Sequence, residues 1–290
     1  MRCNPVRPCR RTGHYRGVTQ PDGYLLDNRR AEAGDRFAAM ARLLDPWTTQ
    51  HLSTLGVDEG WRCWEVGAGG VGIPEWLAER VGPTGEVIAT DIDLSWLGGS
   101  TAPNLDVREH DVTIDPPPGL FDLVHARLVL VHLTERDKAL AAMIGALRPG
   151  GWLLLEDADP ALQPLACPDE YGPEQVRANR LRTAFRGLLS GRGADLSYGR
   201  TLPRLLRSAG LVGVQAAAYF PLGGPESDRL EAATIRHIRD GLVGAGLATA
   251  EDIDLHLEAV EAGRLDVATA PLISVWGCKT AESAANAYAE

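Results

Sequence analysis

Residues 63–91 constrain this chain more than any other stretch. They read Cys63-Trp64-Glu65-Val66-Gly67-Ala68-Gly69-Gly70-Val71-Gly72, then a short helical stretch, then Val87-Ile88-Ala89-Thr90-Asp91. An acid ends one apolar run, a glycine-dense turn follows, and a second acid ends the next run. Such a turn lets backbone approach a ligand that side chains would hold off. A carboxylate one βαβ unit later is placed to hold a ribose. The stretch therefore describes a pocket for a nucleoside-containing cofactor.

The surrounding pattern agrees. Strand candidates at 61–66, 86–90, 105–109, 121–126 and 152–156 alternate with helices expected at 74–81, 94–98 and 134–147. Thr134 is expected to cap the last of these, and Pro149-Gly150-Gly151 to close it. The strands are short apolar runs without polar alternation, which predicts a parallel sheet covered on both faces. Ahead of them, 31–55 reads as a helix with Phe37, Met40, Leu43 and Leu44 on one face and Pro46 breaking it. After Asp159 the rhythm changes. Helices are expected at 173–189, 201–209, 227–243 and 249–262, and strands at 212–220 and 272–278.

The expected organisation follows. Residues 1–20 form a mobile basic tail, 21–58 a helical cap and 59–160 the cofactor-binding core. Residues 161–200 form a helical insertion, 201–279 the rest of the core with a helical lid at about 226–262, and 280–290 a frayed tail. The fold class is α/β: a doubly wound, mostly parallel, seven-stranded sheet with helical lid insertions.

Bulk properties narrow the partners. The net charge of -10 argues against a general nucleic-acid binder and for a small molecule. No apolar run approaches the roughly 18 residues that span a bilayer. The five scattered cysteines lack the spacing of a zinc site, so no metal is expected, and reduced thiols fit a cytoplasmic protein.

Gly67-x-Gly69-x-x-Gly72 also fits a dinucleotide fingerprint. Three features point instead to S-adenosylmethionine (SAM). Glu65 ends the strand before the turn, where a methionine ammonium needs an acceptor and a pyrophosphate gains nothing. Asp111 follows the third strand, where an acid can accept from an adenine amino group. Leu147-Arg148-Pro149-Gly150-Gly151 joins a helix end, a turn and a strand in one phrase.

On these residues the chain resembles the class I SAM-dependent methyltransferases, in the small-molecule branch that includes the ubiquinone/menaquinone enzymes. The resemblance covers 24–279. Glu65-Val66-Gly67-Ala68-Gly69 is similar to that family's first motif, Asp91 to its ribose acid and Asp111 to its adenine-side acid. Val71, between Gly70 and Gly72, departs from a glycine the family often has. The resemblance implies cofactor contacts from Tyr24, Arg36, Glu65, Gly67, Ala68, Gly69, Asp91, Ile92, Asp111, Val112, Arg127 and His132. It implies SAM as cofactor, S-adenosylhomocysteine (SAH) as product, and a monomer or homodimer. The expected activity is methyl transfer to an O, N or C nucleophile of a small molecule, in secondary metabolism. The alternatives are a SAM-fold protein without methyl transfer and a nicotinamide-dependent oxidoreductase.

A sulfonium already carries an activated methyl group, so the protein mainly aligns donor and acceptor. Base candidates are accordingly weak: His132 after the fourth strand, Asp157 after the fifth with Asp159 beside it, and His237 on the lid. His125 reads as packing or a sheet hydrogen bond. Arg177, Arg180, Arg182 and Arg186 read as a solvated helical face.

Overall fold

The computed structural model describes residues 25–26 and 31–280. The expectations for the two tails fall on 1–20 and 280–290, which apart from residue 280 lie outside the described residues, as does Tyr24.

Five apolar runs become the parallel strands β1 (Arg62–Val66), β2 (Glu86–Asp91), β3 (Leu105–Glu109), β4 (Phe121–Arg127) and β5 (Leu147–Ala158). With β6 (Val212–Tyr219) and β7 (Leu272–Cys278) they form one sheet in the order β3-β2-β1-β4-β5-β7-β6. β7 runs antiparallel to both of its neighbours.

Strand parity sorts the side chains. Trp64, Val124, Leu153 and Leu155 face one side, under α3 (Arg136–Gly145) and α5 (Leu202–Ser208), where Met143 and Leu206 complete the core. Cys63, Leu123 and Leu154 face the other, under α1 (Ala31–Thr54) and α2 (Gly72–Val81), against Leu52 and Leu77. Each fully buried Leu contributes about 1.5–3 kcal/mol, so this alternation fixes which face each strand residue takes.

Several boundaries differ from expectation. Pro46 does not break α1, which runs through it to Thr54. An interior proline costs about 3 kcal/mol. Here the second half of the helix is held by tertiary contacts: Leu52 is in the core and Trp47 Nε1 donates to Ser274 at 2.8 Å. The helix expected at 94–98 is a set of turns, and β5 starts well before Trp152. The helix expected at 134–147 becomes a 3-10 turn at Leu130–His132 followed by α3, whose N-cap is Glu135 and not Thr134.

α4 (Pro173–Gly191), α6 (Pro225–Gly244) and α7 (Ala250–Glu261) form a separate helical layer. Leu181, Ile235, Ile238, Leu242 and Ile253 close one of its apolar clusters. Arg182 departs from the expected solvated face. It is buried and donates to Glu231 at 2.9 Å, while His256 Nε2 lies 3.0 Å from the other Glu231 oxygen. The carboxylate charge needs both partners because the surrounding helices exclude water.

Candidate functional site

The glycine turn lies at the carboxyl ends of β1 and β2, as expected for an open α/β sheet. Gly67 and Gly69 have φ of 63° and 62°, a left-handed conformation that side chains disfavour. Both also lack room. A Cβ on Gly67 would collide with Val129, and one on Gly69 would come within 2.7 Å of Phe37 on α1. The turn is tied down by its own backbone: Ala68 N–H donates to Thr90 O at 3.0 Å.

Asp91, buried at the end of β2, closes the loop. Its Oδ2 accepts from Gly69 N–H at 2.9 Å and its Oδ1 from Asp93 N–H at 3.0 Å. Burial raises its pKa, and the backbone donors of Asp93, Gly69 and Ile92 oppose that rise. Ile92 follows with 66% of its surface exposed, an apolar side chain at the rim of the turn. Across the rim, Val112 is buried and Asp111 accepts from the Thr113 amide and hydroxyl at 2.8 and 2.6 Å.

Glu65 is 3% exposed below the turn, and its Oε2 lies 2.6 Å from His125 Nδ1. The sheet register explains the contact, since Glu65 pairs with His125 across β1 and β4. Leu154 is level with His125, so Glu156, two residues on, faces the same side, and it is level with Ser274 on β7. One polar row thus crosses the sheet. His125 Nε2 lies 3.4 Å from Glu156 Oε2, Ser274 donates to Glu156 Oε1 at 2.6 Å, and Thr48 of α1 donates to Glu156 Oε2.

The row is charged. Burial pulls the His125 pKa down, but the charges of Glu65 and Glu156 and their hydrogen bonds outweigh it and raise the value to about 9. Burial pushes Glu156 up, and His125, Arg127 and Ser274 more than reverse this, to about 2. Arg127 donates to Thr48 at 2.8 Å and to Asp45 at 2.6 Å on α1, and Asp45 lies against Gly72 of the turn. Next to it, Leu128 has φ of 58°, a left-handed conformation costing about 1–3 kcal/mol, at the strand end beside the glycine turn.

The three base candidates sit differently. His132 is half-buried, and burial with the charges of Arg36 and Arg136 pushes its pKa down to about 3, so its ring is neutral. His237 is 1% exposed on α6. Asp157 is 2% exposed, and burial raises its pKa to about 8 although the Val131 and Leu130 amides oppose this. Asp159 is held by Arg200 Nε at 2.6 Å.

A carboxyl whose folded pKa is raised favours the folded state at low pH. Its contribution is complete below about pH 4 and is lost as pH rises through 8. Asp157→Asn, a neutral isostere, is therefore expected to leave stability near pH 4 nearly unchanged and to remove the loss between about pH 4 and 8. Urea titrations at the two ends of the range check it. An equal slope in both proteins would show that Asp157 is ionised in the fold.

Glu156, Ser274, Thr48 and Asp45 belong to no motif in the sequence, and of the two expectations for His125, packing or a sheet hydrogen bond, the second holds. The available signal was parity: a Glu, a His, a Glu and a Ser each interrupt an apolar strand on the same face.

Residues 64–155 match a family model described as a methyltransferase domain. The chain is similar to the methyltransferase str2 of Strobilurus tenacellus, with 29% identity over 216 residues, 72% of this chain and 75% of that one. It is also similar to the ubiquinone/menaquinone biosynthesis C-methyltransferase UbiE of Pasteurella multocida (strain Pm70). There the identity is 33% over 130 residues, 41% of this chain and 48% of the relative. The chain thus spans about half the length of that C-methyltransferase. Among solved structures, Haemonchus contortus phosphoethanolamine N-methyltransferase 2, in complex with phosphomonomethylethanolamine and S-adenosylhomocysteine, superposes with a TM-score of 0.55 at 15% identity. The match covers 88% of this chain and 59% of that one. At that identity the likeness speaks to the fold.

Proposed function

The chain carries a methyltransferase domain on a class I, Rossmann-like sheet, and we propose that it moves a methyl group from SAM to an O, N or C nucleophile of a small molecule. One observation carries the reading: the Gly69 amide bound to the Asp91 carboxylate, with Glu65 buried beneath the same turn.

The residues fit SAM in shape and charge. The left-handed turn at Gly67 and Gly69 would present backbone, not side chains, to the methionine chain. Glu65 takes its ammonium, and Asp91 takes the ribose hydroxyls. Ile92 would offer its exposed apolar face to the adenine ring, and Val112 and Asp111 would contact the same ring. Two carboxylates suit a cationic cofactor and oppose a pyrophosphate, so a nicotinamide dinucleotide is disfavoured.

The bound sulfonium supplies the activated methyl group, and the protein aligns the acceptor with it. A neutral His132 can accept a hydrogen bond from an acceptor hydroxyl or amine. Its conjugate acid, with a pKa of about 3, is too strong to keep a proton at neutral pH. His132 therefore orients, and the released proton passes to solvent. Asp157 and His237, the other two base candidates, are both buried. The acceptor enters from the side of α1, α4 and α6. A cytoplasmic location, a monomeric or homodimeric state and a place in secondary metabolism complete the reading. Free thiols at Cys63, Cys167 and Cys278 support the first of these.

Calorimetry tests the assignment. SAM and SAH are expected to bind, and NAD is not. Asp91→Ala removes two charge-assisted hydrogen bonds worth about 1.5 kcal/mol each, so both affinities should fall about a hundredfold. Failure of SAM and SAH to bind the unmodified chain would sink the proposal.

A further inference from the structure

We propose that His125 is a positioning residue for the amino-acid end of the cofactor: as the middle member of the buried Glu65–His125–Glu156 row, it holds the Glu65 carboxylate in place. The inference rests on the reading of Glu65 as the acceptor for the cofactor ammonium.

The geometry leaves His125 one protonation state that satisfies both neighbours. Its ring is wholly buried with a carboxylate oxygen 2.6 Å from Nδ1 and another 3.4 Å from Nε2. A carboxylate only accepts, so only a doubly protonated ring can donate to both. The raised pKa agrees with this. Glu156 is satisfied independently by Thr48 from α1 and Ser274 from β7. The other charged groups at the row are Arg127 of β4 and Asp45 of α1, which pair with each other at 2.6 Å.

The row then carries two negative charges and one positive charge, all three groups buried. A docking ammonium brings the sum to zero, so the row is suited to the cofactor's amino-acid end and neutral toward its nucleoside end. Without the imidazolium, two carboxylates would face each other across the sheet. Glu65 would lose the donor that holds it in place, and with it part of its hold on the ammonium.

The test compares SAH with 5′-methylthioadenosine, which keeps the nucleoside and lacks the amino-acid chain. In calorimetry on the full chain, His125→Gln is expected to weaken SAH binding about tenfold and to leave methylthioadenosine binding within about twofold. Adding Glu156→Gln removes the opposing carboxylate and should recover part of the SAH affinity. Equal loss of both ligands, or no recovery, would mean that His125 is merely structural, and the inference falls. If Glu65→Gln weakens SAH binding and His125→Gln does not, the inference falls and the cofactor reading stands. If the unmodified chain binds no SAH, both fall. NMR of the unmodified chain with 15N-labelled histidine covers the case of a variant that does not fold. One imidazole should keep both protons through pH 8, and its signals should move with SAH and not with methylthioadenosine. A neutral His125 ring at pH 7, assigned by the loss of its signals in His125→Gln, would overturn the proposal.

Discussion

Glu156→Ala is expected to lower folding stability by about 3–5 kcal/mol, the usual result of removing one partner from a buried ionic cluster. Glu156 is fully buried and satisfies Thr48, Ser274 and one side of the His125 ring. Alanine would leave three polar groups without that acceptor and open a void where α1 meets the sheet. The pH dependence follows from the two shifts. The Glu156 contribution is present above about pH 4.5 and is lost as pH falls through about 2, because its folded pKa is depressed. The His125 contribution is present below about pH 6.5 and is lost as pH rises through about 9, because its folded pKa is raised. Stability of the unmodified chain should therefore be flat between about pH 4.5 and 6.5, as far as this row decides it. Urea denaturation followed by tryptophan fluorescence at pH 7 measures the difference. A loss under about 1 kcal/mol would mean that the row is solvated.

Gly67→Val should abolish detectable SAH binding, a loss of at least about a hundredfold. Its φ of 63° costs a β-branched residue about 1–3 kcal/mol, and the new side chain would run into Val129. The turn would have to open, and the methionine end of the cofactor would lose its backbone contacts. Equilibrium dialysis with labelled SAH reads the effect. Gly70→Ala is the control: Gly70 has nothing within 4 Å of its Cβ position, so its affinity should change little. Unchanged binding in Gly67→Val would place the cofactor elsewhere.

Much of the fold was legible because it depends on local rules. Apolar runs of strand length alternate with helices, and the parallel order follows from crossovers that only a βαβ unit supplies. The glycine turn and its two acids were legible for the same reason: a positive φ and a close backbone approach leave few residue choices. Boundaries failed where tertiary contacts overrode local preference. Pro46 stays inside α1 because Trp47, Thr48 and Leu52 are held by the sheet and core. Arg182 is buried because Glu231 faces it from another helix.

By itself, the sequence determined the sheet, the turn and the acids that face a nucleoside cofactor, since each is set within one βαβ unit. Only the tertiary structure decided what His125 does. Glu65, His125, Glu156 and Ser274 come from four different strands, and Thr48 comes from a helix laid over them. Their charges couple only once the register aligns them on one face and α1 excludes water.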